Sequence, residues 1–157
     1  MDAQIAAWTQ NIRVTNLDSL FSAVSLSVYV LIAAAFLFYV YKKEKPRVLQ
    51  LLLGSAAVYG VVELIKRIAL RPRPDLSDNF SFVSRHTAFA FFLAAFLPAK
   101  KEWKFALYAW AALVAFSRLW LNEHWFSDVV FGAGLGIAIA VLAKNKNLKE
   151  KLKSIWR

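Results

Sequence analysis

The chain of 157 residues contains no cysteine, which excludes disulfides, thiol nucleophiles and thiolate metal sites. It is also short of acid: 10 Asp and Glu stand against 20 Lys and Arg, a formal net charge of +10. No internal repeat is present, and no low-complexity segment apart from a lysine-rich tail. The N-terminal "MDAQIAAWTQNIRVTNLD" lacks the basic start of a secretory signal, so the first apolar run is not read as a cleaved leader. What the chain has in excess is apolar residues, 59% of the total with 15% aromatics, against roughly one half in a soluble domain. An integral membrane protein is expected.

A helix rising ~1.5 Å per residue needs about 20 apolar residues to cross the hydrocarbon core. Five segments qualify or come close. Leu20 to Tyr41 carries no charge, and Val48 to Leu70 is charged only near its end, at Glu63, Lys66 and Arg67. Thr87 to Ala99 is short for a span and must borrow residues from the preceding loop or cross where the bilayer is thin. Lys104 to Leu121 and Asp128 to Ala143 complete the set. The expected fold is all-α, a polytopic bundle of about five transmembrane helices forming one domain over residues 1–157, since short loops leave no room for a separate soluble domain. Ile5, Trp8 and Ile12 share a helical face, which suits a short N-terminal helix lying in the interface. Gly132, Gly136 and Ala140 recur every four residues and allow close helix contact. Trp120, Trp125 and Phe126 are expected in the interfacial aromatic belt.

The excess positive charge could attract nucleic acid, but its distribution points to lipid. Lys42, Lys43, Lys45 and Arg47 follow the first segment, and Lys100, Lys101 and Lys104 separate the third from the fourth. Lys144, Lys146, Lys149, Lys151, Lys153 and Arg157 follow the fifth. With five crossings these groups share one side. The positive-inside rule makes that side cytoplasmic, with the N-terminus outside and the C-terminus inside. The tail then reads as a topology anchor against anionic lipid, and no nucleic-acid partner is expected.

The opposite side collects Lys66, Arg71 and Arg73 from the end of the second segment and its loop, Ser84, Arg85 and His86 from the start of the third, and Arg118, His124 and Asp128 from the junction of the last two. Both histidines of the chain are in this set. Ionisable groups at membrane depth are costly and mark polar cavities. Arginines near helix ends also snorkel to headgroups and pair with acids such as Asp75, Asp78 or Glu123, a plain role that accounts for Arg67, Arg71 and Glu123 taken singly. It does not account for His124 and Asp128 four residues apart. At that spacing the carboxylate can accept a ring N–H, fix the tautomer and leave the other nitrogen's lone pair free, as a nucleophile or base requires. Ser127 could cap the last helix, which would put His124 in the preceding loop, and Asp128 in a first turn is also favoured by the helix dipole. Pro72 should end the second helix near Leu70, so a stiff Pro72-Arg73-Pro74 loop aims the Arg73 guanidinium.

These stretches carry a resemblance. "KRIALRPRP" fits K-x6-R-P through Lys66, Arg73 and Pro74; "FVSRHT" fits the core of P-S-x-H through Ser84 and His86; "SRLWLNEHWFSD" fits S-R-x5-H-x3-D through Ser117, Arg118, His124 and Asp128. Their order and their setting in a multi-span chain resemble the type 2 phosphatidic acid phosphatase (PAP2) superfamily of membrane lipid phosphatases, over about residues 60 to 137. The resemblance implies that His124 attacks phosphorus to form a phosphohistidine, that Asp128 orients it, and that His86 protonates the leaving oxygen and later activates water. Lys66, Arg73, Ser84 and Arg118 would hold the phosphoryl oxygens, with no metal and no cofactor. Phosphoryl transfer needs mainly positioning and cationic stabilisation, which planar arginine forks supply well.

Two positions depart from the usual P-S-G-H: Val83 replaces proline and Arg85 replaces glycine. Arg85 would be strained if glycine's backbone freedom is needed there. Alternatively it adds a cation for a second phosphate, which favours a polyprenyl diphosphate such as undecaprenyl diphosphate among the lipid phosphates. A lipid-phosphate binding or carrier protein using the same cationic pocket is the alternative to an enzyme.

Overall fold

The computed structural model describes residues 1–145. Among them there is no strand, and the elements run α1 (Asp2–Ile12), a 3-10 turn (Thr15–Leu17), α2 (Asp18–Tyr41), α3 (Lys45–Ala69), α4 (Arg85–Phe96), α5 (Lys101–Trp120) and α6 (Phe126–Ala143). The last five answer the five expected segments to within a few residues. The lysine-rich tail from Lys146 onward, read as a topology anchor, lies outside the described residues.

Local chemistry sets the helix boundaries. Pro46 sits in the first turn of α3, where its fixed φ costs nothing and its missing N–H would have had no partner. At the other end Leu70 takes a left-handed conformation (φ 44°) and its N–H closes on the Lys66 carbonyl at 3.1 Å. The helix stops there because the residue before Pro72 is barred from helical geometry.

Among the described residues three helices combine the length and apolarity of a membrane span: α2 with the preceding turn, α3 and α6. Their outward faces present Leu26, Val30, Leu37, Leu53, Leu64, Ile68, Phe131 and Val141. The helix α4 has only 12 residues, about 18 Å. It is largely enclosed, because α2, α3, α5 and α6 all pack on it and every residue from Thr87 to Ala90 and from Phe92 to Phe96 is buried, with Phe91 partly exposed. A helix apolar on all sides belongs in a core. The irregular segment 70–84 ahead of it is exposed over much of its length, at Pro72, Asp75, Leu76, Ser77, Asn79 and Phe80, and turns inward at its end, where Ser81, Val83 and Ser84 are buried.

Among these neighbours α6 packs most extensively on α4, through the small residues seen in the sequence. A Cβ at Gly136 would stand 2.1 Å from the Ala88 carbonyl oxygen, and one at Gly132 would stand 2.8 Å from that of Ser84. The two backbones are therefore in contact, and only glycine permits it. Gly54 of α3 similarly leaves room for the Phe92 ring, 2.5 Å from where its Cβ would be.

The ends of the bundle differ in charge. At the C-terminus of α4, Lys104 Nζ donates to the Ala95 and Leu97 carbonyls (3.1 and 2.8 Å) and Lys144 Nζ to Ala95 (2.9 Å). Cations complete unpaired carbonyls there and oppose the helix dipole. Tyr39 packs on Phe96 at this same end, 6.4 Å between ring centres, bringing the C-terminus of α2 and its lysines alongside. The motif residues gather at the other end. The helix α1 lies across it, with Gln10 Nε2 reaching the Trp120 carbonyl (3.4 Å) and Asp2 reaching the start of α6.

Trp120 corrects one expectation. It is buried against Phe21 and Phe116, with its indole N–H on Asp18 (3.0 Å), so it is a core residue and not part of a lipid-facing belt. Gly136→Ala should force α4 and α6 apart at a cost of about 1–3 kcal/mol or more, read as a lower unfolding temperature in detergent. Gly134→Ala, whose methyl would meet nothing within 4 Å, should leave that temperature unchanged or slightly higher.

Candidate active site

Four pieces of chain meet at this end: the last turn of α3 with its loop, the first turn of α4, the last turn of α5, and the turn leading into α6. The α6 turn has a left-handed Asn122 (φ 59°), whose N–H bonds the Leu119 carbonyl at 3.0 Å. Beyond it the chain is extended at Trp125, and α6 begins at Phe126. The cap is therefore not Ser127. Asp128, in the first turn, accepts the Trp125 backbone N–H at 2.8 Å, and Ser127 is held by another part of the chain.

His124 lies in that turn, buried to 3% exposure, with Nδ1 2.8 Å from the Ser81 carbonyl oxygen and 3.6 Å from Asp128 Oδ2. A carbonyl oxygen can only accept, so Nδ1 carries the proton and Nε2 keeps its lone pair. The sequence spacing predicts the Asp128 carboxylate as acceptor of the ring N–H; a backbone carbonyl is its nearest acceptor, and the carboxylate stands behind it. Burial pushes the His124 imidazole down to about 4, a fall that the neighbouring carboxylate only partly offsets.

Asp128 has no exposed surface. It accepts from the Ser81 hydroxyl, the Trp125 N–H and Arg71 Nη1 (2.7 Å), while its own carbonyl takes the Ser84 N–H at 3.1 Å. Arg71 does not pair with Asp75, Asp78 or Glu123. Its other branch goes to Asp2 (2.7 Å), and its plane lies over the Trp125 ring at 5.5 Å. Asp2 in turn accepts the Ser127 backbone N–H (3.1 Å) and hydroxyl (2.6 Å), capping α6 from the far end of the chain. Burial alone would raise the Asp2 carboxyl, but the bonds from Ser127 and Arg71 hold it below the ordinary carboxylate range.

His86 sits in the first turn of α4, half-buried, edge-on to the Tyr29 ring at 5.4 Å. Lys66, Arg85, Arg118 and His124 all lie within electrostatic reach of its imidazole. Ser84 is fully buried, its hydroxyl accepting from Thr87 (3.0 Å). Arg73 Nε donates to Asp78 (2.7 Å) and Nη1 to Glu123 (3.1 Å). Arg118 reaches Ser25 of α2 (2.5 Å) and also pairs with Glu123. Arg85 pairs with Glu63 (3.0 Å) and lies over the Tyr59 ring. It opens α4 and is not among the residues with positive φ, so replacing glycine leaves no left-handed strain there. Lys66 is 7% exposed, and among the described residues its ammonium forms no hydrogen bond or ion pair.

All eight residues singled out by sequence thus come to one end of the bundle. Sequence reasoning missed Ser81, Ser25 and Asp2, and gave Arg71 a lesser place. Ser81 acts through its carbonyl as well as its hydroxyl, and a carbonyl leaves no mark in sequence. Asp2 is 125 residues from its partner Ser127. Arg71 had a signal, a second arginine beside the Pro72-Arg73-Pro74 loop.

The model of the PAP2 superfamily matches residues 47–151, a stretch that contains all eight. The chain belongs to the PAP2 superfamily. Among PAP2 relatives, the phosphatidylglycerophosphatase B of Bacillus subtilis is 31% identical over 153 residues, covering 84% of this chain and 71% of that protein. The lipid A 1-phosphatase of Porphyromonas gingivalis is 37% identical over 95 residues, covering 57% of this chain but only 21% of that much longer protein. The crystal structure of Aquifex aeolicus LpxE superposes with a TM-score of 0.78 at 26% identity, covering 90% of this chain and 93% of that one. That of the transmembrane PAP2 type phosphatidylglycerolphosphate phosphatase from Bacillus subtilis gives 0.68 at 27% identity, covering 96% and 85%.

Two measurements follow for this PAP2 site. Unfolded chain takes up a proton at His124 near 6.5, whereas the folded site resists until about 4, so stability should decline as pH falls through that window. The unfolding temperature in detergent should show it, and His124→Gln should flatten that limb. Asp2→Ala should cost about 0.5–2 kcal/mol by removing the α6 cap, with faster amide exchange in the first turn of α6.

Proposed function

We propose that this chain is an integral membrane phosphatase that removes a phosphoryl group from a lipid phosphate or diphosphate. His124 Nε2 attacks phosphorus as the bond to the lipid oxygen, or to the bridging oxygen of a diphosphate, breaks. His86 gives that oxygen its proton. The phosphohistidine is then hydrolysed by a water from which His86 takes a proton, releasing inorganic phosphate and restoring both imidazoles. Asp128 and the Ser81 carbonyl keep the His124 ring in its attacking tautomer. Lys66, Arg73, Ser84, Arg85, Arg118 and the N–H groups at the start of α4 receive the phosphoryl oxygens. No step needs a metal ion or cofactor.

One observation carries this reading: cations at this end retain buried donors that the protein does not use. Among the described residues Lys66 Nζ is without a bonded partner, and Arg85 Nε and Arg118 Nε are buried and unpaired. Buried donors left unmade are costly, and those on cations most of all, so such a cluster calls for an anion of several oxygens. A phosphoryl group has that form.

The finer substrate reading is a polyprenyl diphosphate, supported by Arg85, whose spare donor and position beside Lys66 offer a seat for a second phosphate. The named activities of the relatives, on lipid A and phosphatidylglycerophosphate, supply the competing substrates. We place the site on the extracytoplasmic face, on the strength of the lysines at the opposite end.

Phosphate release from isoprenoid diphosphates and monophosphates, phosphatidic acid, phosphatidylglycerol phosphate and lipid A, measured in detergent with a chelator present, tests all of this. The enzyme should turn over at least one of them, fastest the diphosphate. His124→Ala should reduce kcat at least about a thousandfold while lipid binding persists, and Arg118→Ala should cost about 10²–10³-fold. Unaltered release by His124→Ala would overturn the mechanism. Binding of lipid phosphate without release by the wild type would identify a carrier.

A further inference from the structure

Glu123 immediately precedes the proposed nucleophile, yet its carboxylate points back among the cations. Oε2 lies 3.1 Å from Arg73 Nη1 and also bonds Arg118 Nη2. These guanidiniums come from different elements, the loop after α3 and the last turn of α5. They are also two of the groups proposed to hold the phosphoryl oxygens. The exposures differ: the Arg118 side chain is 4% exposed and that of Arg73 15%, but Glu123 is 34% exposed. A carboxylate offers the same flat pair of oxygens to an arginine fork as one edge of a phosphate.

The Glu123 side chain is held only through its carboxylate to these two arginines, whereas each arginine has a further tie. Arg118 is fixed within α5 and bonded to Ser25, and Arg73 is tied through Nε to Asp78. Glu123 follows the left-handed Asn122 in a turn only five residues long, its N–H on the Arg118 carbonyl at 3.2 Å, with its side chain facing both the site and solvent. We propose that Glu123 is a displaceable internal anion that occupies part of the phosphate seat between turnovers and yields it to the substrate. The inference rests on the function proposed above.

The physical reason lies in the charge of the site. Cations this buried destabilise one another unless an anion is near. A permanent, fully buried partner would satisfy them and block the reaction. A partly exposed carboxylate on a turn neutralises them while losing readily to a phosphoryl dianion, which brings more charge and a third oxygen. It also competes with inorganic phosphate, so Glu123 sets how tightly the product is held.

The test is product inhibition by inorganic phosphate in wild type, Glu123→Gln and Glu123→Asp, alongside the rise in unfolding temperature that phosphate induces in each. Glu123→Gln should bind phosphate roughly tenfold tighter, the scale of one lost charge-assisted competitor. It should be less stable than wild type without phosphate and gain more when phosphate is added. Glu123→Asp, too short to bridge both arginines, should fall between, and it carries the test if the glutamine variant fails to fold. Phosphate inhibition in these variants that equals or is weaker than wild type would overturn the inference, since Glu123 would then be a fixed support of the arginines. If wild type neither releases phosphate from lipid phosphates nor is inhibited by it, the proposed function fails and this inference with it. Wild-type activity with unaltered variants refutes the inference alone.

Discussion

Asp128 is a carboxylate with no exposed surface in a protein whose outer wall is hydrocarbon-facing, and such a group is stable only if each oxygen is bonded. The Ser81 hydroxyl, the Trp125 N–H and Arg71 supply those bonds, and each comes from a different point in the chain. Satisfying one carboxylate therefore fixes the 70–84 loop, the turn before α6 and the first turn of α6 relative to one another. Through Ser81 the same arrangement fixes the His124 ring, because its hydroxyl serves Asp128 while its carbonyl takes the ring N–H. Removing any member would leave the others with buried, unpaired groups, so the network holds as a unit.

The close contact of α4 with α6 is the second requirement, and it has the same consequence. The carbonyls of Ser84 and Ala88 rest where Cβ atoms at Gly132 and Gly136 would stand. That contact brings the start of α4, with His86, beside the start of α6, with Asp128. In a membrane, where apolar side chains gain little from leaving lipid, such backbone contact is a principal source of helix association. It also explains how a 12-residue helix is accommodated: α4 is a core rod inside four longer helices, and nothing requires it to span lipid.

Charge is arranged along this rod with opposite consequences at its two ends. At the C-terminus Lys104 and Lys144 complete the last carbonyls, a purely structural use. At the N-terminus the dipole repels cations, yet Lys66, Arg85 and Arg118 gather there. Glu63, Asp78 and Glu123 offset part of this charge, but among the described residues Lys66 and two guanidinium Nε groups remain without partners. Stability alone would not select that excess. Anion binding would.

The sequence by itself determined the membrane class, the five helices of the bundle and their approximate ends, and the residues that converge, because apolar run length, Pro72, the small-residue repeat and the motif spacings leave a linear trace, although the short α4 reads there as a span. The end at which lysines would collect was legible for the same reason. Only the tertiary structure decided that Ser81 rather than Asp128 is nearest to the His124 ring, that Asp2 caps α6 across 125 residues, that Trp120 is core, and that Glu123 lies between two arginines. Each of these depends on backbone carbonyls, on exposure or on contacts between segments that no spacing encodes. A pattern of residue types shows which groups meet at one end of a bundle, but which of them bond is settled by distances of a few tenths of an ångström, and packing alone sets those.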